Sequence, residues 1–372
     1  MTTLFDNFMT GETDDALIER VRQNDPKIFI FKLDIRKITP TQLQIVANAL
    51  QHNTIIHTLH VLSPFTRPPV GWEKTIKNIL TENTMIKKVR FTNSITAEEM
   101  EILGPVLSHH PSINDIELHS LVPDTFSNET INRLADALMQ GTTKLNRFSL
   151  TGAQDKLTSE TLTTLINLIT SPVGITIFEL VSFTMDSRGI EQIASALRST
   201  KNSLLKLKLN CTTTTKEDIQ ALAELLSDER CVLNNLHLGR YKITNDDVSV
   251  LIDALTKNNS LKKLLVDVSA EQFIHFLTMM DTTKIAQDSF KLKRSNPSRS
   301  EGFTRDILNI LRAKKNLLAE PERVFSQVKY CPLTPNEQRA LIADWGKTAN
   351  TFFQPATKKQ DLGSSSEQKF QP

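Results

Sequence analysis

The amino-acid sequence predicts an α/β solenoid of about ten repeats. It would be a right-handed, horseshoe-like coil, with a parallel β-sheet on the concave face and helices on the convex face. The first observation is a pattern, apolar-x-x-apolar-x-apolar, that returns every 26 to 32 residues. Its first position falls at Ile30, Ile56, Ile86, Ile113, Leu145, Ile175, Leu204, Leu233 and Leu261, with a degraded copy at Gln287. The second observation is that the apolar spacing between copies lengthens to about 3.6 residues, which is typical of helices. Units of this length bury their apolar faces by stacking on neighbouring units.

The last two apolar positions of each copy are predicted to point into the core of the solenoid. They are Leu33 and Ile35 in the first copy, and Phe290 and Leu292 in the tenth. A strand, a helix and a parallel strand of the same sheet are almost always connected with a right-handed crossover. The repeats therefore predict one continuous parallel sheet with a helix after each strand.

The starts and ends of the predicted helices carry their own signals. Capping boxes are expected at Thr39/Gln42, Thr96/Glu99 and Ser269/Gln272, because a hydroxyl and a carboxylate or amide three residues apart satisfy each other's backbone N–H groups. Asn53, Asn83, Gly141 and Asn258 close helices, where a left-handed backbone is common. His109 and His110 stand at another helix end and are expected to be solvated.

The composition divides the chain into four segments. Residues 1–27 are expected to form an N-terminal tail and a capping helix, and residues 28–296 the solenoid. Residues 297–353 are expected to form a C-terminal helical unit, which is either a cap on the last repeat or a second binding module. Residues 354–372 are polar and are expected to be disordered.

Charge and cysteine content favour a soluble cytoplasmic protein. Lys and Arg number 44 against 42 Asp and Glu, which does not suggest a nucleic-acid binder. Cys211, Cys231 and Cys331 form neither an even framework nor a Cys-x-x-Cys motif, as expected in a reducing compartment. The sequence shows no secretory signal, and no apolar run approaches the roughly 20 residues that span a bilayer. We therefore expect no membrane insertion.

Motifs for nucleotide binding, metal-dependent hydrolysis and serine hydrolysis do not occur in the sequence. We therefore predict no cofactor, no metal and no catalytic residue, and interpret the chain as non-enzymatic. Cys331 has basic neighbours that could activate its thiol, so a cysteine-dependent enzyme is kept as an alternative.

The repeats resemble the leucine-rich repeat family in its long, ribonuclease-inhibitor-like form. The phrase Ala254-Leu-Thr-Lys-Asn-Asn-Ser-Leu261, followed by Leu264 and Val266, carries this resemblance most clearly. It implies a protein–protein interaction scaffold. The Asn or Cys that the family places three residues after the last strand position is missing, so irregular turns are expected there.

The tail resembles the translocation signals of type IV-secreted effectors from intracellular bacteria. It is small and polar, with Phe370 third from the end. The chain is therefore similar to a Legionella-type leucine-rich repeat effector. This resemblance implies a virulence role, with secretion into the host cell cytosol and interaction with a host protein. GTPase activators of Ran resemble the same repeat type, so a regulator of a small GTPase is a further alternative. Their acidic tail has no counterpart here, where basic residues outnumber acidic ones after residue 296.

The concave face is the predicted binding site. The strand positions that flank the inward pairs hold ten Lys or Arg and five Asp or Glu, more basic than the rest of the solenoid. Such a surface would steer a partner with an acidic or mixed-charge surface toward the sheet. The protein itself is expected to be monomeric. The alternative is that these charges only keep the strands soluble. The predicted partner-binding residues are Arg90, Glu117, Arg147, Glu179, Lys206, Lys208, His237, Tyr241, Lys263 and Asp267.

A second candidate contact is the proline-rich stretch 63–72, which has an aromatic residue near each end. Phe65 and Trp72 either project toward a partner or cover the adjacent core.

Overall fold

The structure is a computed structural model that divides into two compact units, Met1–Ser298 and Arg299–Pro372. It describes residues 14–35, 38–62, 71–93, 95–120, 127–186, 188–200, 202–210, 215–239, 243–266, 272 and 291–294. All of them belong to the first unit.

Strands and helices alternate along the described residues. The helices are α1 (Asp14–Arg22), α2 (Pro40–Gln51), α3 (Trp72–Glu82), α4 (Ala97–His109), α5 (Asn128–Gln140), α6 (Ser159–Thr170), α7 (Gly189–Ser199), α8 (Lys216–Ser227) and α9 (Asn245–Lys257). The strands are β1 (Ile30–Asp34), β2 (Thr58–Leu62), β3 (Lys88–Thr92), β4 (Asp115–His119), β5 (Arg147–Thr151), β6 (Ile177–Val181), β7 (Lys206–Asn210), β8 (Asn235–Leu238), β9 (Lys263–Val266) and β10 (Lys291–Arg294).

The ten strands form one parallel sheet in the order of the sequence. Each strand pairs with the strands of the preceding and following repeats, and one helix separates successive strands from β1 to β9. This arrangement confirms the predicted α/β solenoid, with one continuous parallel sheet and helices between its strands.

The core lies between the sheet and the helices. Alternate strand residues point to opposite faces of a sheet, and the inward positions are fully buried, such as Leu59, Val61 and Phe91. In neighbouring repeats, the rings of Phe148 and Phe178 stack with centroids 6.3 Å apart. The helices contribute an apolar stripe to the same layer, with Leu134 completely buried in α5.

The first and last repeats are in a different register from the predicted one. Phe31 and Leu33, and not Leu33 and Ile35, align with Leu59 and Val61. At the other end, Leu292 aligns with Leu264, whereas the predicted register aligned Leu292 with Val266. Both shifts are of two residues. Because side chains alternate with a period of two, such a shift keeps the apolar residues on the same face.

Two predicted capping boxes are confirmed. The Thr39 hydroxyl accepts from the Gln42 N–H, and the Gln42 side chain accepts from the Thr39 N–H; Thr96 and Glu99 make the same exchange. The predicted box that begins at Ser269 lies outside the described residues.

The predicted left-handed helix ends are wrong. Asn83 and Asn258 close α3 and α9 in extended conformations, and Gly141 has φ −87°. Gly141 is required for a different reason: a Cβ atom there would lie 2.1 Å from the carbonyl oxygen of Ser108.

The side chains at these helix ends form a buried polar ladder between repeats. Asn83 Nδ2 donates to the carbonyl oxygens of Leu50 (2.6 Å) and Asn53 (2.9 Å), while its Oδ1 accepts from the N–H of Met85 (2.9 Å). Asn258 repeats the arrangement, donating to the Leu226 carbonyl at 2.7 Å. Because the last carbonyls of a helix have no partner within the helix, the ladder satisfies them from the next repeat.

His110 belongs to this ladder, so the expectation that it is solvated is wrong. Its Nε2 donates to the carbonyl oxygen of Asn83 at 2.9 Å, and its Nδ1 accepts from the N–H of Ser112 and of Ile113. One nitrogen donates and the other accepts, so the ring is neutral here. Burial also lowers the pKa of His110, which favours the same neutral form.

The first residue after several strands extends the sheet by one more backbone hydrogen bond. The N–H of Asn93 donates to His119 O, that of Ser120 to Thr151 O, and that of Ser182 to Asn210 O, at 2.7 to 2.8 Å. The neighbouring repeat thus supplies through its backbone the partner for the first N–H group after these strands.

Replacing Asn83 with Ala tests the ladder. The variant leaves two buried carbonyls and one N–H unsatisfied, so we expect the free energy of unfolding to fall by about 3 kcal/mol. Chemical denaturation followed by circular dichroism measures it. The matched control is Asn78→Ala on the exposed side of α3, which should change stability by less than about 0.5 kcal/mol. Equal effects of the two variants would contradict the role of the ladder.

Candidate interaction surface

The candidate site is the helix-free face of the sheet, defined as the strand side chains that point away from the helices. Backbone pairing arranges them in rows across the strands. One row holds Lys88, Asp115, Arg147, Ile177, Lys206, Asn235 and Lys263. The next row holds Lys32, His60, Arg90, Glu117, Ser149, Glu179, Lys208, His237 and Leu265.

Arg147 lies at the centre of an ion-pair network on this face. Its guanidinium contacts Glu117 Oε1 at 2.7 Å through Nη1 and Glu179 Oε2 at 2.6 Å through Nη2. A planar guanidinium holds two carboxylates in fixed directions through separate N–H groups. Arg147 therefore joins β4, β5 and β6 through their side chains.

The network extends to both sides of Arg147. Lys88 Nζ lies 2.7 Å from Glu117 Oε1 and 3.3 Å from Asp115 Oδ2. At the other side, Lys206 Nζ lies 2.6 Å from Glu179 Oε1. We call the set Lys88, Arg90, Asp115, Glu117, Arg147, Glu179 and Lys206 the ion-pair ladder. Each of its members contacts an opposite charge within 4 Å.

Glu179 is the most buried carboxylate of the ion-pair ladder, with a side chain 6% exposed. Burial alone would raise the pKa of Glu179, but hydrogen bonds from Lys206 and Arg147, together with their charges, outweigh it and hold the pKa at about 2. Asp115 differs: burial raises its pKa despite the nearby Lys88 and Arg147. The charged form of Glu179 is thus an integral part of the folded sheet.

Lys208 on β7 stands next to the ion-pair ladder but does not belong to it. Lys208 lies opposite Glu179 and His237 in the row, yet it forms no ion pair with any described residue. Burial, followed by the charges of Lys208 and Lys206, lowers the pKa of His237 to about 4. The Nε2 atom of His237 is buried and has no hydrogen-bond partner among the described residues. Around β7 and β8 the field is therefore positive.

Histidines at the other end of the ion-pair ladder are also held neutral. Burial, and then the charges of Arg90 and Lys32, lower the pKa of His60 to about 4. Its Nε2 lies 2.7 Å from the Thr92 hydroxyl. His119, hydrogen-bonded to Arg90, has its pKa lowered chiefly by burial.

Five predicted site residues, Arg90, Glu117, Arg147, Glu179 and Lys206, come together in the ion-pair ladder. Lys208, His237 and Lys263 lie beside it on β7, β8 and β9. Tyr241 and Asp267 fall outside the described residues. A partner-binding role for this set stays a prediction.

The predicted set omitted Lys88, Asp115 and Asn210, which belong to the same face. Lys88 and Asp115 stand in one row with Arg147 and complete its charge pattern. Their identical position in the repeat was the available signal. Asn210 also flanks an inward pair, on β7, but the pattern does not show that its amide packs against Gly239 after β8.

The second predicted contact, Trp72, lies within the core. Its side chain is buried and its indole N–H donates to Glu99 Oε1 at 2.8 Å. The side chain therefore covers the adjacent core, which was one of the two alternatives. Phe65 lies outside the described residues, as does Cys331.

Within the described part of the chain, no group of three or more His, Cys, Asp or Glu could hold a metal ion. No helix in that part is both long and apolar enough to cross a membrane.

No protein-family model and no curated protein matches the chain. Among solved structures, the crystal structure of the leucine-rich repeat-containing protein LegL7 from Legionella pneumophila is similar to it. The sequences are 13% identical, the TM-score is 0.44, and the match covers 80% of this chain and 94% of the other. A similarity this remote says nothing about binding or activity.

Glu179→Gln tests the ion-pair ladder. The variant leaves Arg147 and Lys206 without their shared counter-charge, so we expect the free energy of unfolding at neutral pH to fall by about 2 kcal/mol. The folded-state pKa is below the ordinary value of 4.5. The stabilisation is therefore complete above about pH 4.5 and is lost as the pH falls toward 2.

Denaturant unfolding at several pH values measures both effects. The native protein should lose more stability than the variant between about pH 4.5 and pH 2. Glu82→Gln, on the exposed end of α3, is the control and should leave the stability unchanged. Parallel pH profiles for native protein and Glu179→Gln would show that the carboxylate contributes nothing.

Proposed function

We propose that this chain is a non-enzymatic scaffold that binds another protein through the helix-free face, with the contact centred on β7 to β9. One observation carries the proposal. The charges of β3 to β6 are matched within the protein, whereas Lys208 on β7 forms no ion pair with any described residue. The carboxylates of an acidic or mixed-charge partner would complete this end of the surface.

The chemistry of the face favours a protein over a nucleic acid. Single-stranded nucleic acids are held by aromatic side chains on which bases stack, and the outward positions of β1 to β9 carry no Phe, Tyr or Trp. Asp115, Glu117 and Glu179 would repel a phosphate backbone. Apolar outward residues stand beside these polar groups, with Ile177 opposite Lys206 and Leu265 opposite the neutral His237. A protein surface that mixes acidic and apolar groups suits such neighbours.

Within the same proposal, the chain is a secreted effector and its partner is a host protein. This part rests on the sequence of residues 354–372, which resembles type IV translocation signals. It makes a eukaryotic lysate the appropriate source of partners.

Lys208→Glu tests the proposed surface. We expect affinity capture from a eukaryotic lysate to recover a partner with the native protein and at least about tenfold less of it with the variant, because the reversed charge repels the partner's carboxylates. Lys77→Glu, on the exposed side of α3, makes the same charge change away from the sheet. It should capture as much partner as the native protein.

Circular dichroism and thermal unfolding of both variants verify that the fold is retained. Equal capture by native protein, Lys208→Glu and Lys77→Glu would remove the helix-free face from consideration as the binding surface.

A further inference from the structure

Two side chains beside Lys208 bury polar atoms that have no hydrogen-bond partner among the described residues. They are Oδ1 of Asn210 on β7 and Nε2 of His237 on β8. Buried polar atoms are nearly always hydrogen-bonded, because an unmade bond costs about 1 to 3 kcal/mol. These two atoms stand on adjacent strands beside Lys208, which forms no ion pair with any described residue, and a bound group would supply the missing partners.

The turn after β8 makes room for this arrangement. A Cβ atom on Gly239 would lie 2.8 Å from Cγ and 3.0 Å from Oδ1 of Asn210. Any residue larger than glycine would therefore displace the Asn210 amide. The backbone N–H of Gly239 also donates to the carbonyl of Leu209 at 3.0 Å, which holds the turn against β7.

The charged groups around His237 determine what can bind. Lys206 and Lys208 face it from β7, Lys263 from β9 and Glu179 from β6. Three cations and one anion disfavour a positive imidazole, as does burial of the ring. Glu179 is already engaged by Arg147 and Lys206. An additional anion beside His237 would raise the pKa of the ring and favour its protonated form.

We propose that Lys208, Asn210 and His237 form a subsite for a side-chain carboxylate of an acidic partner segment, and that the His237 ring takes up a proton from solvent when the subsite fills. Because Nε2 is buried in the free protein, the ring turns when the subsite fills, and its Nε2–H donates to the carboxylate while Lys208 supplies a second charged contact. The Asn210 amide, which can present either its oxygen or its nitrogen, donates through its NH₂ group. This subsite rests on the proposed function, since it names the partner chemistry of the same surface.

Proton uptake on binding makes the affinity depend on pH. The free protein has a neutral His237 at neutral pH, with a pKa of about 4. If the bound carboxylate restores the pKa to an ordinary value, each binding event is linked to uptake of one proton below about pH 6.5. Binding should therefore tighten as the pH falls, until the partner carboxylates themselves become protonated near pH 4.3.

The experiment uses the full chain and a hexaglutamate peptide, with hexaglutamine as the uncharged control. The ring resonances of His237, assigned by comparison with His237→Asn, report its pKa by NMR with and without peptide. We expect hexaglutamate, and not hexaglutamine, to raise this pKa by at least about two units. We also expect the peptide to bind about tenfold more tightly at about pH 5 than at about pH 7.5.

Two variants of the subsite and one control variant separate it from general attraction to the face. His237→Asn should abolish the pH dependence of binding, whereas His109→Asn, an exposed histidine on α4, should preserve it. Asn210→Ala should weaken binding of hexaglutamate at both pH values. An unmoved His237 pKa in saturating hexaglutamate, or equal affinity at the two pH values, would overturn the proposal.

The outcomes also distinguish this subsite from the proposed function. If Lys208→Glu loses its partner while the His237 pKa does not respond to hexaglutamate, the binding surface stands and the carboxylate subsite fails. If Lys208→Glu captures as much partner as Lys77→Glu and hexaglutamate does not bind, both proposals fail.

Discussion

In-register backbone pairing between successive repeats is the constraint on which the rest of this structure depends. Each strand hydrogen-bonds to the strand before it and the strand after it, and corresponding residues therefore stand side by side across the sheet. Like charges in a row would repel each other. From β3 to β6 the sequence avoids this by placing Asp115 between Lys88 and Arg147, and Glu117 beside Arg90. From β7 to β9 the carboxylates cease, and lysines gather around a neutral histidine.

The same stacking explains why the turns need neighbouring repeats. At the helix ends, Asn83 and His110 use their side chains to satisfy backbone groups of the preceding repeat. At the strand ends the backbone of the following repeat does so directly, as Thr151 O does for Ser120 N–H. A single repeat would leave these groups exposed or unpaired. Stability in such a protein is a sum of contributions from each repeat and from its interfaces, and the polar ladder is one of the interface contributions.

Much of the fold could be predicted from the sequence, because the apolar pattern reports burial directly. Its ambiguity at the ends has a physical origin: Ile28, Phe31 and Leu33 match the pattern as well as Ile30, Leu33 and Ile35, and all but Ile30 are buried. The helix ends were misinterpreted because asparagine suits both a left-handed backbone and a side-chain cap. For the site, repeat position identified the face and its charges. The apolar pattern contains no distances between rows of side chains. It therefore could not predict that Arg147 pairs with two carboxylates, or that Asn210 and His237 bury polar atoms without a partner among the described residues.

The central claim is that the ion-pair ladder uses its charges within the protein while Lys208 offers its charge to a partner. The rates at which single lysines of the free protein react with an acetylating reagent, measured by mass spectrometry, test this claim directly. The Lys88 ammonium is held by two carboxylates at 2.7 and 3.3 Å, and it must leave them before it reacts. Lys208 has no such contacts with the described residues. We predict that Lys208 is acetylated at least about fivefold faster than Lys88. Equal rates would contradict the account.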